Sequence, residues 1–167
     1  MTPTRSGSVG TTPQSSVLGL VVFTIEAQRY ALPLPATERI LPMVAVSPLP
    51  KAPDVALGVI NLHGTVIPVL DIRRRFGLPP RDYGPSAHLV VARTIRRTVA
   101  LPVDEVLGVR EVPAEAVAEP GRVLPGIGHV AGIAALEDGL LFIQDLDAFL
   151  SLDEEHVLTE ALQEIRR

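Results

Sequence analysis

Asp71 and Asp145 hold equivalent places in two related stretches of this 167-residue chain. A matched pair of carboxylates is the arrangement here that could do acid–base chemistry. A proteolytic pair would continue each Asp with Thr or Ser and then Gly. This chain continues them as Asp71-Ile72-Arg73 and Asp145-Leu146-Asp147. Each Asp heads a short helical turn, where a carboxylate accepts backbone N–H bonds as an N-cap. Capping is the expected role, with a hydrolase on a double β barrel as the alternative. His63, His88, His129 and His156 have no metal-ligand spacing to one another, and no zinc-protease, nucleophile-elbow, Walker or dinucleotide-binding motif is present. No catalytic residue, cofactor or metal is expected. Arg73, Arg74 and Arg75, with Arg93, Arg96 and Arg97, are the candidates for an anion or nucleic-acid patch. The chain carries a net charge of −4 and only 4% aromatics. Nucleic acid is therefore not an expected partner, and both basic runs read as solvated turns.

The elements that place these residues come in two copies. Residues 58–78, GVINLHGTVIPVLDIRRRFGL, recur in degenerate form as residues 132–150, GIAALEDGLLFIQDLDAFL. At one constant offset Gly58 falls on Gly132, Leu62 on Leu136, Val66-Ile67 on Leu140-Leu141 and Asp71 on Asp145. His63-Gly64 falls near the turn Glu137-Asp138-Gly139. Each copy reads as an apolar strand, a tight polar turn, a second apolar strand, an Asp and a helical turn. A second similarity sets Ala31-Leu32-Pro33 on Ala100-Leu101-Pro102. The repeating unit is thus two hairpins long, about the size of a small five-stranded barrel.

Composition fits that reading. Hydrophobic residues make up 47% of the chain but Trp is absent, so the core must be Val, Leu, Ile and Ala. Sixteen Pro and thirteen Gly punctuate short apolar runs, a pattern of many strands joined by turns. There is no Cys, which removes disulfides and thiolate metal sites. Residues 1–16 have no apolar stretch of signal-peptide length, and residues 17–25 are too short to span a bilayer. The expectation is a soluble cytoplasmic protein with no direct membrane insertion.

Residues 1–16 have little to bury and read as a disordered tail. Strands are expected at 18–25 and 30–34, the second at a sheet edge or ending at Pro33, which has no N–H to donate. Residues 35–41 read as a helical turn carrying Glu38, and residues 42–53, with four prolines, as a loop. Strands follow at 88–93, 98–103 and 106–112, then a helical turn at 113–117 and a loop at 119–128. Ser151 and Glu154 form a capping box for a C-terminal helix over 153–167. Val157, Leu158, Ala161, Leu162 and Ile165 make its apolar stripe, and Arg166 and Arg167 suit its dipole.

The stretch GVINLHGTVIPVLDIRRRFGL resembles the signature of CheW-like domains through Gly58, Val59, Asn61, Leu62, Gly64, Val66, Pro68, Val69, Asp71, Arg73 and Phe76. The likeness extends over residues 17–152. It takes in LVVFTIEAQRYALPL, VSPLPKAPDVALG, VALPVDEVLGVREV and HVAGIAALEDGLLFIQDLDAFLS. It implies a mainly β fold of two intertwined five-stranded SH3-like barrels around a shared core, with a C-terminal α-helix. It also implies a non-catalytic scaffold that couples chemoreceptors to a CheA-type histidine kinase in chemotaxis. The implied partners are the kinase's regulatory domain and the cytoplasmic tip of a methyl-accepting chemoreceptor, which would recruit the protein to membrane receptor arrays. A CheW-like scaffold of a non-flagellar chemosensory pathway is the alternative.

The resemblance also nominates sites. The receptor groove is expected on Ile60, Leu62, Val103, Val106 and Leu107, with Glu38 and His63 beside them. The kinase interface is expected at Val66 and Ile67. His63 stands where the family carries an Arg after Asn-Leu. In the family that Arg partners a Glu, and the resemblance implies a His63–Glu38 hydrogen bond. A neutral imidazole has fewer donors than a guanidinium, so the expected brace is weaker.

Overall fold

The computed structural model describes residues 16–79, 81–118 and 130–165. The expected tail, the loop at 119–128 and the terminal Arg166-Arg167 lie outside the described residues, except that Ser16 accepts a bond from the Ala114 N–H. Eleven strands are described: β1 (Val17–Ile25), β2 (Gln28–Pro33), β3 (Thr37–Pro42), β4 (Ala56–Leu62), β5 (Thr65–Leu70), β6 (His88–Arg93), β7 (Thr98–Val103), β8 (Glu105–Pro113), β9 (Val117–Ala118), β10 (Val130–Leu136) and β11 (Gly139–Gln144). Two α-helices join them, α1 (Ile72–Arg75) and α2 (Leu152–Ile165). The expected helical turn carrying Glu38 is shorter and earlier. A 3₁₀ turn covers only Leu34–Ala36, and Glu38 lies on β3, because the β6 ladder claims that backbone.

The strands form two sheets, ordered β8-β1-β2-β11-β10-β9 and β3-β6-β7-β5-β4. The two sequence repeats therefore do not make one sheet each. The chain opens in the first sheet with β1 and β2, builds the second with β3 to β7, and returns to complete the first. In each sheet the opening hairpin of one repeat pairs in parallel with the signature hairpin of the other, β2 with β11 and β7 with β5. The pairs Ile143↔Ala31 and Val69↔Ala100 are equivalent under the sequence offsets. One sheet has six strands rather than five because of β9. Its counterpart in the other sheet is a single bridge, Ser47↔Val59.

That bridge explains the repeated glycine. Both signature hairpins carry a bulge at the same place, between Ala56 and Gly58 and between Val130 and Gly132. A Cβ on Gly58 would run into the Ser47 carbonyl, and one on Gly132 would meet a methyl of Val117. Glycine stands where a crossing segment presses on the strand.

Alternation along the strands sorts the apolar residues into three cores. Leu20, Val22, Ala31, Val112, Ala134, Leu141 and Ile143 fill the inside of the first sheet. Ile60, Ile67, Val69, Leu89, Val91 and Ala100 fill the inside of the second. A larger shared core lies between them, with Phe23, Ile25, Tyr30 and Leu32 meeting Val90, Val99, Leu101 and Val103. Helix α2 adds Leu158, Ala161 and Leu162 to this shared core, whereas Val157 and Ile165 of the expected stripe are exposed.

The arginine run in α1 is not a solvated turn. Arg73 is one of the largest fully buried side chains, and it pairs with Glu26 in the β1–β2 turn and donates to the Pro79 carbonyl. Arg75 pairs with Glu154 at 2.7 Å and lies over the Phe149 ring. Arg74 donates to the Asp54 carbonyl at 2.5 Å. The run is a set of pins joining α1 to both barrels and to α2. A guanidinium suits this because it offers five donors in a planar fork.

The capping box of α2 forms as expected. The Glu154 N–H donates to Ser151 Oγ at 3.1 Å, and the Ser151 N–H donates to Glu154 Oε1 at 2.9 Å. Partial burial raises the affinity of Glu154 for a proton, but the Ser151 N–H and the Arg75 guanidinium outweigh it, and its pKa falls below the ordinary 4.5. A lowered folded pKa means the stabilisation is fully present above 4.5 and is lost as pH falls through the folded value. Acidification below about pH 4.5 is expected to raise hydrogen exchange at α2 amides. Glu154→Gln should flatten that dependence. An unchanged acid response in that variant would show that Glu154 does not hold the helix.

Candidate docking surface

The two aspartates act as caps. Asp71 accepts the Arg73 N–H at 3.0 Å and the Tyr83 hydroxyl at 2.9 Å, and it is 1% exposed. Asp145 accepts the Asp147 and Ala148 N–H groups at 3.1 and 3.3 Å. Burial raises the pKa of Asp71, opposed by those two donors and by Arg74 and Arg81. One oxygen of each, Oδ1, is committed to these backbone and phenol donors, an arrangement that holds α1 and the turn after β11 in place.

Part of the uncovered apolar surface lies instead where the shared core reaches the edges of the sheets. Strand β3 is one edge of the second sheet and β8 one edge of the first. Each carries a bulge at an equivalent position. Glu38 is the extra residue of β3, between the pairs Thr37↔Ala92 and Arg39↔Val91. Leu107 is the extra residue of β8, between Val22↔Gly108 and Phe23↔Val106. Bulges re-aim side chains and end regular pairing, which blunts an edge against further strands.

Two residues beyond each bulge sits an exposed aliphatic side chain. Ile40 is paired with Val90 of the shared core and is 41% exposed. Val109 is paired with buried Val21 and is 61% exposed. Directly paired residues point to one face of a sheet, so both belong to the inter-sheet side. Leu34 packs on Gly19 of β1, next to β8, and is 43% exposed. Leu34, Ile40, Leu107 and Val109 thus make an apolar fringe on these two edges, where the shared core nears the surface, with Glu38 and Arg39 exposed beside Ile40.

The structure redistributes the expected site residues. Glu38 and Leu107 are exposed on the two bulges, and Val106 is half-buried against the shared core. Ile60 is buried in the inner core of the second barrel and Val103 in the shared core, at 4% and 0% exposure, so neither lines the surface. Leu62 packs partly on the inner core of the second barrel. His63 is exposed at the tip of the β4–β5 turn, where φ is 52° at His63 and 87° at Gly64, as a type I′ turn requires. Asn61 Oδ1 accepts the Gly64 N–H there at 2.8 Å. No hydrogen bond or ion pair joins His63 to Glu38: Glu38 is on β3, and His63 is in the turn after β4, at the other end of the sheet order. Of the expected kinase edge, Val66 is half-buried and Ile67 is 3% exposed in the inner core. Sequence reasoning missed Leu34, Ile40 and Val109. The alternating Leu107-Gly108-Val109 and its counterpart Glu38-Arg39-Ile40 carried the signal, since they share the offset that relates the Ala-Leu-Pro strands.

A profile of the CheW-like domain matches residues 19–154. The chain belongs to the CheW-like family. This CheW-like chain is 28% identical over 137 residues to the probable chemotaxis protein CheW of Rhizobium etli, covering 81% of this chain and 88% of that protein. It is 26% identical to the chemotaxis protein CheW of Klebsiella aerogenes, covering 80% and 82%. It is 28% identical to protein FrzA of Myxococcus xanthus, covering 72% and 73%. Among solved structures it is similar to the scaffolding protein TtCheW of Thermoanaerobacter tengcongensis, with a TM-score of 0.75 and 25% identity, covering 83% of this chain and 96% of the other. Among the described residues no helix is long and apolar enough to cross a membrane, and no cluster of three His, Asp or Glu could hold a metal.

Proposed function

We propose that this CheW-like chain is a non-catalytic adaptor that couples chemoreceptors to a CheA-type histidine kinase. The observation that carries the reading is the apolar fringe of Leu34, Ile40, Leu107 and Val109, left uncovered on two equivalent bulged edges. An aliphatic fringe of this kind suits the apolar face of a helix, and a receptor's cytoplasmic hairpin tip is such a helix pair. Glu38 and Arg39 supply polar specificity at its rim. The kinase's regulatory domain meets the protein elsewhere, beside Val66 on β5. Both partners would place the protein at membrane receptor arrays from the cytoplasmic side.

Ile40→Glu with Val109→Glu is the discriminating variant. Both side chains are exposed, so unfolding midpoints should stay close to wild type. Capture of a receptor tip peptide should weaken about a hundredfold, the scale of two apolar anchors replaced by desolvated charge. Capture of a CheA-type regulatory domain should persist. Wild-type binding to the receptor tip by this variant would remove the fringe from the mechanism. Failure of the wild-type protein to bind either partner would remove the adaptor reading.

A further inference from the structure

The two barrels differ at one equivalent place. In the first, β2 and β11 keep three parallel pairs, Leu141↔Arg29, Phe142↔Tyr30 and Ile143↔Ala31. In the second only Val69↔Ala100 remains. The reason lies at Pro68. Val59 N–H and C=O both bond Ser47, so the Val59↔Pro68 pair is of the non-hydrogen-bonded kind. The backbone nitrogen of Pro68 therefore faces β7, and it has no hydrogen to donate. The ladder opens there. A cavity of about 240 Å³ lies beside it, lined by Thr65, Val66, Ile67 and Pro68 of β5, by Arg93, Arg96, Arg97 and Thr98 at the turn end of the β6–β7 hairpin, and by Leu162 of α2.

Charge balance differs too. In the closed barrel the turn between β10 and β11 supplies Asp138, which bonds Arg29 at 2.7 Å and Arg110 at 3.3 Å. The position equivalent to Asp138 in the open barrel is Gly64, which has no side chain. Arg97 is held by Glu155 and Thr159 of α2 at 3.1 and 2.7 Å. Among the described residues the Arg93 side chain donates to Thr98 Oγ1, at 3.3 Å. Among the described residues no carboxylate forms an ion pair with Arg93 or Arg96. Glu160 borders a neighbouring hollow with Arg96 without pairing to it. Two guanidinium groups thus flank an open pocket in a protein that is acidic as a whole.

We propose that this pocket receives an acidic side chain from a partner polypeptide, whose carboxylate takes the place that Asp138 fills in the other barrel. Arg93 and Arg96 bind the carboxylate, Thr65 and Thr98 hydroxyls complete its hydrogen bonds, and Val66, Pro68 and Leu162 contact the aliphatic stem. The inference builds on the adaptor reading, in that it adds a polar contact on the β5 side, away from the β3 and β8 edges.

The test is titration of the isotopically labelled full chain with a hexaglutamate peptide, a hexaglutamine peptide and inorganic phosphate. Hexaglutamate should shift the amides of residues 65–68 and 93–98, and hexaglutamine should not. Arg93→Ala with Arg96→Ala should weaken the hexaglutamate response about tenfold, with the fold intact, as expected for loss of two part-exposed charge pairs. Raising salt should weaken it as well. Equal response to hexaglutamine, shifts spread over the whole surface, or phosphate binding more tightly than the peptide would each overturn the proposal. No kinase or receptor enters this experiment, so its failure leaves the adaptor reading standing, and failure of receptor-tip capture leaves this result standing.

Discussion

Replacing Arg73 with alanine is expected to destabilise the protein by about 3 kcal/mol, the scale for removing one member of a buried, hydrogen-bonded pair. Arg73 is 1% exposed and ties three segments together: the β1–β2 turn through Glu26, α1 on which it sits, and the chain at Pro79. Its removal leaves a cavity where the guanidinium stem packed and frees the Glu26-Ala27 turn. That turn has φ of 52° and 69° without a glycine, a conformation costing about 1 kcal/mol per residue. The anchor holds it there. Glu26 is partly exposed and can return to water, so Glu26→Ala should cost much less, about 1 kcal/mol. Arg73→Lys should rescue little, because one ammonium cannot reach both acceptors. Urea unfolding of the three variants measures this order. A midpoint for Arg73→Ala no lower than that for Glu26→Ala would show that burial of Arg73 stabilises nothing.

The second large effect concerns the repeated glycine. Gly58→Ala should cost about 3 kcal/mol, near the upper end for overpacking, because its Cβ meets backbone. The obstacle is the carbonyl of Ser47, itself bonded to the Val59 N–H at 2.8 Å, so relief requires breaking the bridge. Gly132→Ala meets a methyl of Val117, which can rotate or shift with β9, and about 1 kcal/mol is expected there. Two equivalent positions in one chain thus make a matched pair. Equal losses would mean that the Ser47 crossing yields as easily as a side chain, and the structural reading of the repeat would be wrong at that point.

Much of this fold was legible from residue order. The hairpins, their turns, the capping box of α2 and the capping role of Asp71 and Asp145 all depend on neighbours within a few positions. The duplication was legible because Gly58 and Gly132, and Asp71 and Asp145, serve the same local geometry twice. The exchange of strands between repeats was not, since pairing of β2 with β11 is a contact between chain ends and leaves no local pattern. Glu38 was misread as helical because Pro35-Ala36-Thr37 suits a turn, and only the β6 ladder decides for a strand. The arginines of α1 looked solvated because burial of a guanidinium needs partners, here Glu26 and Glu154, that lie far away in sequence. The candidate docking surface was half legible. Apolar residues near the signature were found, but strand alternation turned Ile60, Val103 and Ile67 inward, and the bulges at Glu38 and Leu107 brought Ile40 and Val109 to the surface.

The exchange of strands bears on how the chain comes to be folded as it is made. The second sheet, β3 to β7, is complete in sequence by Val103, and it can close while the ribosome is still extending the chain. The first sheet cannot. Of the described strands β1 and β2 are made first, yet β1 waits for β8 and β2 for β11. That hairpin stays unpaired beside β1 until β8 has emerged and beside β2 until β11 has, with the face of Phe23, Ile25 and Tyr30 as its means of shelter against the finished sheet. The earliest of the described strands are thus among the last to be satisfied, and β2 keeps a sticky edge that only the C-terminal signature hairpin can cover.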